Sequence, residues 1–353
     1  MTTRHQLTFG VDLGGTSTRV GLYDASMQLI DNHSMTTRVS AGPQSCVEEM
    51  AEAITSMNCK HSAGRSACEV LGIGIGSPGP MNLRTGVLGL LPNLPGWDNF
   101  PLRDALAAAS GMAVVLESDA NAAAIAEWKL GVGQLTNLDS MAMITLGTGV
   151  GSGLILGGQI WHGMFGMGGE VGHATVVPEG LLCGCGSRGC LEMYASANGL
   201  LRLAIAAADS DDATPALKAL VTRSLGFTPI DIAELAQNDP SAHQVFDRIG
   251  HFLGIGIANL INTLDLPLIV VGGGMASSWD LFAPSMFRAI RDYSLVYRLA
   301  TPAQVDTLEP DRTFICPAML GPSAGLLGAA LLPRLTKLNG QSTTGSLAAE
   351  MIQ

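Results

Sequence analysis

One local pattern occurs twice in this chain: an apolar strand, a glycine-rich turn, and a second strand that returns beside the first. Leu7 to Asp12 leads into Leu13-Gly14-Gly15-Thr16, and Arg19 to Tyr23 comes back. Met141 to Leu146 leads into Gly147-Thr148-Gly149, and a strand near Gly153 to Leu156 comes back. Glycine has no Cβ, so turns of this kind let backbone N–H groups approach an anion closely. The repetition predicts two mixed α/β halves, each with its own glycine turn, holding a ligand between them.

The remaining apolar runs fit such halves. Cys46 to Met57 has helical spacing, and Val70 to Ile75 reads as a buried strand. Pro101 to Ser110 predicts a helix with proline in its first turn, followed by a strand at Ala113 to Glu117. Asp119 to Leu130 predicts an alanine-rich helix. A long helix near Val245 to Leu264 leads into a strand at Leu268 to Val271 and then Gly272-Gly273-Gly274. A strand at Thr313 to Cys316 and a helix at Ser323 to Leu332 close the pattern. Thr336 to Gln353 is small and polar and reads as a flexible tail, with a short helix at Leu347 to Ile352.

Composition excludes several classes. The 353 residues suffice for two domains, and 47% hydrophobic with 14% charged residues means a packed chain. A net charge of −11 opposes nucleic-acid binding, which needs Lys and Arg against phosphate. Apolar runs are interrupted well before the length of a membrane span. Met1 to Gln6 runs straight into a strand with no signal peptide, which points to the cytoplasm.

Three of the seven cysteines fall in Cys183-Gly-Cys185-Gly-Ser-Arg-Gly-Cys190, ten residues after His173. Three neighbouring cysteines cannot all pair with one another, and clustered thiolates plus one imidazole suit a tetrahedral Zn²⁺. The other readings are a disulfide or small buried hydrophobes. In a cytoplasmic chain, metal or redox chemistry is favoured over a staple. Glu170 and Glu192 sit at the edges of this run, so a zinc knot would fix two carboxylates in place.

Thr16 and Ser17 add hydroxyl donors to the first turn, and Asp12 before it can hold Mg²⁺ through water. Taken alone, the turn also suits a hairpin without a ligand. The second turn lacks a Walker lysine, and no Rossmann unit follows it. Paired with the first, it can clamp a polyphosphate from a second side. Gly272 to Gly274 offers either a flat surface for a base or simple close packing. Asp119 is either a helix N-cap or a base aimed at a substrate.

Together these segments resemble the ROK family of sugar kinases, within the actin-like ATPase superfamily. The resemblance rests on Asp12-Leu-Gly-Gly-Thr16, Asn93-Leu-Pro-Gly-Trp97 and Ser118-Asp119-Ala-Asn121. It continues through Leu146-Gly-Thr-Gly-Val-Gly-Ser-Gly153, Gly169-Glu-Val-Gly-His173, the cysteine run through Glu192, and Val271-Gly-Gly-Gly274. It implies an α/β fold of two ribonuclease-H-like lobes with a cleft between them. The lobes would be residues 1–118 plus about 323–335, and 119–322, with 336–353 as the tail.

The resemblance also implies ATP-dependent phosphorylation of a hexose, glucose first, at its 6-hydroxyl. Asp119 would be the catalytic base. Gly79, Asn93, Ser118, Glu170, His173 and Glu192 would join Asp119 in binding the sugar. Asp12, Gly14, Gly15, Thr16, Ser17, Arg19, Thr148, Gly149 and Gly273 would meet ATP with its Mg²⁺. His173, Cys183, Cys185 and Cys190 would hold structural zinc. A homodimer or higher homo-oligomer is implied as well, with no nucleic-acid or membrane partner.

One position departs from the family. Asparagine usually precedes the base and contacts the sugar, and here it is Ser118, shorter and without an amide. The Gly321-Pro-Ser-Ala-Gly325 segment also lacks the acidic residues common there. A kinase for N-acetylmannosamine, mannose, fructose or allose would share every motif. A sugar-responsive repressor would carry a helix-turn-helix ahead of the first turn, and eleven residues precede Asp12. A sugar-binding protein without catalysis would be expected to lack Asp119.

Overall fold

A computed structural model describes residues 5–62, 68–91, 94–300 and 313–342. The chain divides into two compact units. Unit 1 is Met1–Ala126, His162–Met167 and Ser323–Gln353, and unit 2 is Glu127–Trp161 and Gly168–Pro322.

Unit 1 holds strands β1 (His5–Leu13), β2 (Ser17–Tyr23), β3 (Leu29–Thr36), β4 (Cys68–Ser77) and β7 (Val114–Ser118), with a two-residue pair, β5 (Met81–Asn82) and β6 (Val87–Leu88), between the last two. The main sheet runs β3-β2-β1-β4-β7. The first two pairings are antiparallel and the others parallel. Leu7, Phe9, Val11 and Leu13 alternate along β1 and are all buried. Helix α1 (Pro43–Ser62) offers this core a stripe of Val47, Met50, Ile54 and Met57 at helical spacing. Helix α2 (Leu102–Ser110) adds Leu102 and Leu106.

The last helix, α12 (Ala324–Ser342), returns to this sheet. It lies so close that a Cβ on Gly10 or Gly74 would collide with its backbone. Arg334 on this helix donates to the Gln6 carbonyl at 3.2 Å and the Asp24 carbonyl at 2.9 Å. The helix extends to Ser342, and the expected short helix at Leu347 to Ile352 falls outside the described residues.

Helix α3 (Asp119–Leu130) carries the chain into unit 2, where α4 (Val132–Thr136) follows. The second sheet comprises β8 (Met141–Leu146), β9 (Val150–Leu156), β10 (Gln159–Ile160), β11 (Leu268–Gly272) and β12 (Phe314–Pro317), in the order β10-β9-β8-β11-β12. Counted within each unit, both main sheets therefore read 3-2-1-4-5. Their pairing directions also match, two antiparallel and two parallel. Strand β9 starts at Val150, earlier than its glycines suggest. Gly151 and Gly153 pair with Thr145 and Met143, so ladder bonding overrides their low strand propensity.

The helices of this unit are α5 (Glu192–Ala195), α6 (Ala197–Ala208), α7 (Pro215–Val221), α8 (Pro229–Ala236), α9 (Pro240–Leu264), α10 (Trp279–Tyr293) and α11 (Leu295–Ala300). The long helix α9 starts where Asp239 accepts the Ala242 N–H at 2.9 Å, with Pro240 in the first turn. It buries Val245, Phe246, Ile249, Leu253, Ile257 and Ile261 in the core. Among the described residues, no helix is long and apolar enough to cross a membrane.

Candidate active site

The first glycine turn is a tight hairpin. The Gly14 N–H donates to the Ser17 carbonyl at 3.0 Å, and Thr37 secures the turn from beside it. The Thr37 hydroxyl donates to the Gly14 carbonyl at 2.7 Å, and the Thr37 N–H donates to Thr16 at 2.9 Å. Thr16 and Ser17 are left exposed at the tip. Asp12 forms an ion pair with Arg19 across the hairpin at 2.5 Å. The two residues occupy paired positions in the β1–β2 ladder, so strand register alone brings them together.

Asp12 is also level with Gly76 on β4, which is level with Glu117 on β7. The first turn and the corner Glu117-Ser118-Asp119 thus share the carboxyl end of the parallel strands, the usual ligand end of such sheets. At this corner the Ser118 Oγ accepts the Asn121 N–H at 3.1 Å, an N-cap for α3. Asp119 occupies the first helical position and is exposed. Its carboxylate accepts the Ala120 N–H at 2.7 Å. Gly79 is exposed with open space where a Cβ would go. Asn93 lies outside the described residues.

Unit 2 repeats the arrangement. The Gly147 N–H closes its turn on the Gly149 carbonyl at 2.9 Å, and Thr148 is exposed at the tip. Gly273 follows β11 at the same sheet end, with φ +85° and the backbone of Leu146 against it. Close packing thus demands a glycine there, while the neighbouring Gly274 faces open space.

Strand β9, which leaves this turn, anchors both carboxylate segments that the sequence places near the cysteines. The Glu192 Oε2 accepts the Val150 N–H at 3.0 Å. The same carboxylate fills the space beside Gly149, where a Cβ would strike it. Ser152 hydrogen-bonds the Gly169 carbonyl and accepts the Val171 N–H at 3.2 Å, fixing the turn that carries Glu170 and His173. Sequence reading missed Ser152 because its partners lie in a distant loop.

His173, Cys183, Cys185 and Cys190 converge, with one ligand atom from each within 4.8 Å of the others. The Cys185 and Cys190 sulfurs are 3.7 Å apart, and the Cys183 sulfur is 3.7 Å from His173 Nδ1. Tetrahedral zinc with Zn–S near 2.3 Å requires edges of about 3.6–3.8 Å, so the donor set fits it. All three cysteines are free thiols. The Ser187 N–H is the main cause that brings Cys185 down to about 7. Burial, and then its thiol neighbours, push Cys190 up to about 12. A dication would offset the mutual repulsion of these thiolates.

Two sheets of order 3-2-1-4-5, each with a glycine turn at the carboxyl end of its parallel strands, define the two-lobed fold of the actin-like ATPases. The ROK family model matches residues 8–335, and the chain belongs to the ROK family. It is 34% identical over 325 residues to a glucokinase from Halalkalibacterium halodurans, covering 92% of this chain and 93% of that one. It is 32% identical to an N-acetylmannosamine kinase from Shigella boydii, covering 94% and 99%. A Streptomyces griseus ROK glucokinase solved with glucose and AMPPNP superposes with a TM-score of 0.74. That structure is 34% identical, covering 93% of this chain and 99% of its own.

Proposed function

We propose that this protein is a cytoplasmic sugar kinase that transfers the γ-phosphoryl of ATP to the 6-hydroxyl of glucose. What supports the reading most is the role of β9. One strand leaves a glycine turn suited to phosphate and anchors Glu192 and the Glu170–His173 turn, suited to sugar hydroxyls.

Asp119 accepts the proton of the 6-hydroxyl as that oxygen attacks the γ-phosphorus in line. The bond from phosphorus to the bridging oxygen breaks, and ADP leaves. Backbone N–H groups of both turns stabilise charge on the transferring group. Asp12 would hold Mg²⁺, which would supply charge neutralisation at the phosphates. Arg19 holds the Asp12 carboxylate in place.

Zinc held by His173, Cys183, Cys185 and Cys190 would be structural, since four protein ligands would leave no open position. His173 directs Nδ1 at the cysteines, so metal binding there would leave Nε2 to donate to a sugar hydroxyl. Glu170 and Glu192 accept from further hydroxyls, with Asn93 and Gly79 completing the contacts. A second reading is an N-acetylated hexosamine, favoured by the short side chain of Ser118, which leaves room for a bulkier sugar.

A coupled ADP-release assay over glucose, mannose, fructose, allose and N-acetylmannosamine tests both readings, with product identity read by NMR. Glucose is expected to give the highest kcat/KM and glucose 6-phosphate as product. Asp119→Asn should retain sugar binding and lose roughly 10²–10⁴ in kcat. Preference for another sugar overturns the substrate, and an Asp119→Asn variant within a few-fold of wild type overturns the base.

A further inference from the structure

Two buried glutamates have no part in the chemistry above, Glu117 and Glu127. Among the described residues Glu127 is held by backbone donors, accepting the Leu320 N–H at 2.7 Å and the Val132 N–H at 3.3 Å. Glu117 is different, because it stands at the corner that carries the proposed base. Its Oε1 accepts the Ser118 N–H at 2.9 Å and the Asn121 side-chain amide at 2.9 Å. One oxygen thus binds the last residue of β7 and the first turn of α3, on either side of Asp119. Its other oxygen lies 2.6 Å from His162 Nε2. Glu117 has no Lys or Arg partner among the described residues.

His162 opens the segment His162–Met167, which belongs to unit 1 although its sequence neighbours on both sides belong to unit 2. The Glu117 hydrogen bond raises the imidazole above its usual range, against the opposing effect of partial burial. A buried carboxylate without a cation is costly, and the cost falls on whatever it holds in place.

We propose that Glu117 and His162 form a positioning pair for Asp119, in which the imidazolium neutralises Glu117 so that Glu117 can fix the strand-to-helix corner under the base. Neither residue touches the reacting atoms. Their contribution is geometric, and misplacing a reacting group by about an ångström can cost roughly 100-fold in rate. The proposal rests on Asp119 as the base.

The test compares His162→Gln, His162→Ala and the double variant Glu117→Gln/His162→Gln in the full-length, zinc-loaded enzyme. His162→Gln keeps a hydrogen bond and removes the charge. It should lower kcat roughly 10- to 100-fold while the KM values for sugar and ATP stay within about threefold. The double variant buries a neutral amide and should regain about tenfold in kcat over His162→Gln. Added imidazole should partly restore kcat in His162→Ala. A purely structural role would lower Tm and leave kcat and the imidazole response unmoved. Wild-type kcat in His162→Gln, an effect on KM alone, or a double variant no faster than the single overturns the pair. If His162→Ala does not fold, the two glutamine variants decide the matter. If Asp119→Asn is inactive and the His162 variants are fully active, the pair falls and the base stands. An active Asp119→Asn removes the base whatever His162 does.

Discussion

The two glycine turns occupy the same place in the same sheet order, yet they acquire their carboxylates differently. In unit 1 the carboxylate precedes the turn in sequence: Asp12, next to the end of β1, pairs with Arg19 on the returning strand. In unit 2 no acid flanks the turn. Glu192 reaches the Val150 N–H from 42 positions away, after the cysteine cluster. Both turns close on themselves through a backbone hydrogen bond, but the first has its carboxylate within the hairpin and the second receives one from a distant loop. The difference suggests a division of labour. A local carboxylate suits a constant task at the phosphates, and one delivered by a separate loop suits recognition of a variable substrate.

The largest expected effect comes from dismantling that loop. Each purified chain should contain one zinc by elemental analysis. Cys185→Ser should lose the metal and weaken sugar affinity by roughly 10–100-fold, the scale seen when supports of a metal site are removed. Affinity for ATP should change less, since the first turn is secured by Thr37 within unit 1. Normal sugar affinity in a metal-free protein would break the comparison.

A finer probe distinguishes two glycines of the same turn. A Cβ at Gly149 would strike the Glu192 carboxylate, while a Cβ at Gly147 would meet nothing within 4 Å. Gly149→Ala should displace Glu192 from the Val150 N–H. A hydrogen bond to a charged acceptor is worth about 1.5 kcal/mol or more, so sugar KM should rise about tenfold. Gly147→Ala should stay near wild type. Equal effects from the two substitutions would mean that Glu192 is not the group the turn accommodates.

The same contrast governs what could be read from the sequence. Features made by neighbours along the chain were legible. The two hairpins, α3 over Asp119 to Leu130 and β8 over Met141 to Leu146 follow from apolar runs cut by glycine and proline. Strand β3 was not legible, because an exposed edge strand of sequence Leu-Ile-Asp-Asn-His-Ser-Met-Thr shows no buried alternation. The supports of the site were illegible for another reason. Glu117 and His162 are 45 positions apart, and nothing local marks either as the other's partner. The cysteine cluster was the exception, since its short spacing confines the ligands to one loop.

The smallest expected effect lies at Ser118. Its hydroxyl caps α3 by accepting the Asn121 N–H, which commits the one acceptor it can aim at the helix. Asparagine is as good an N-cap as serine, so Ser118→Asn should leave Tm unchanged. The amide adds a second group, because its oxygen can cap while its NH₂ projects beyond the helix end. A neutral hydrogen bond gained at the sugar is worth about 0.5–1.5 kcal/mol, roughly 2- to 12-fold in affinity. If glucose is the natural substrate, Ser118→Asn should lower its KM by about that factor without reordering the hexoses. If the pocket is shaped for a bulkier sugar, the longer side chain crowds it. The variant would then lose activity toward that sugar while improving toward glucose. Measuring kcat/KM for glucose and N-acetylmannosamine on both proteins separates the two outcomes. An unchanged KM for every sugar would show that the side chain at position 118 does not contact the sugar.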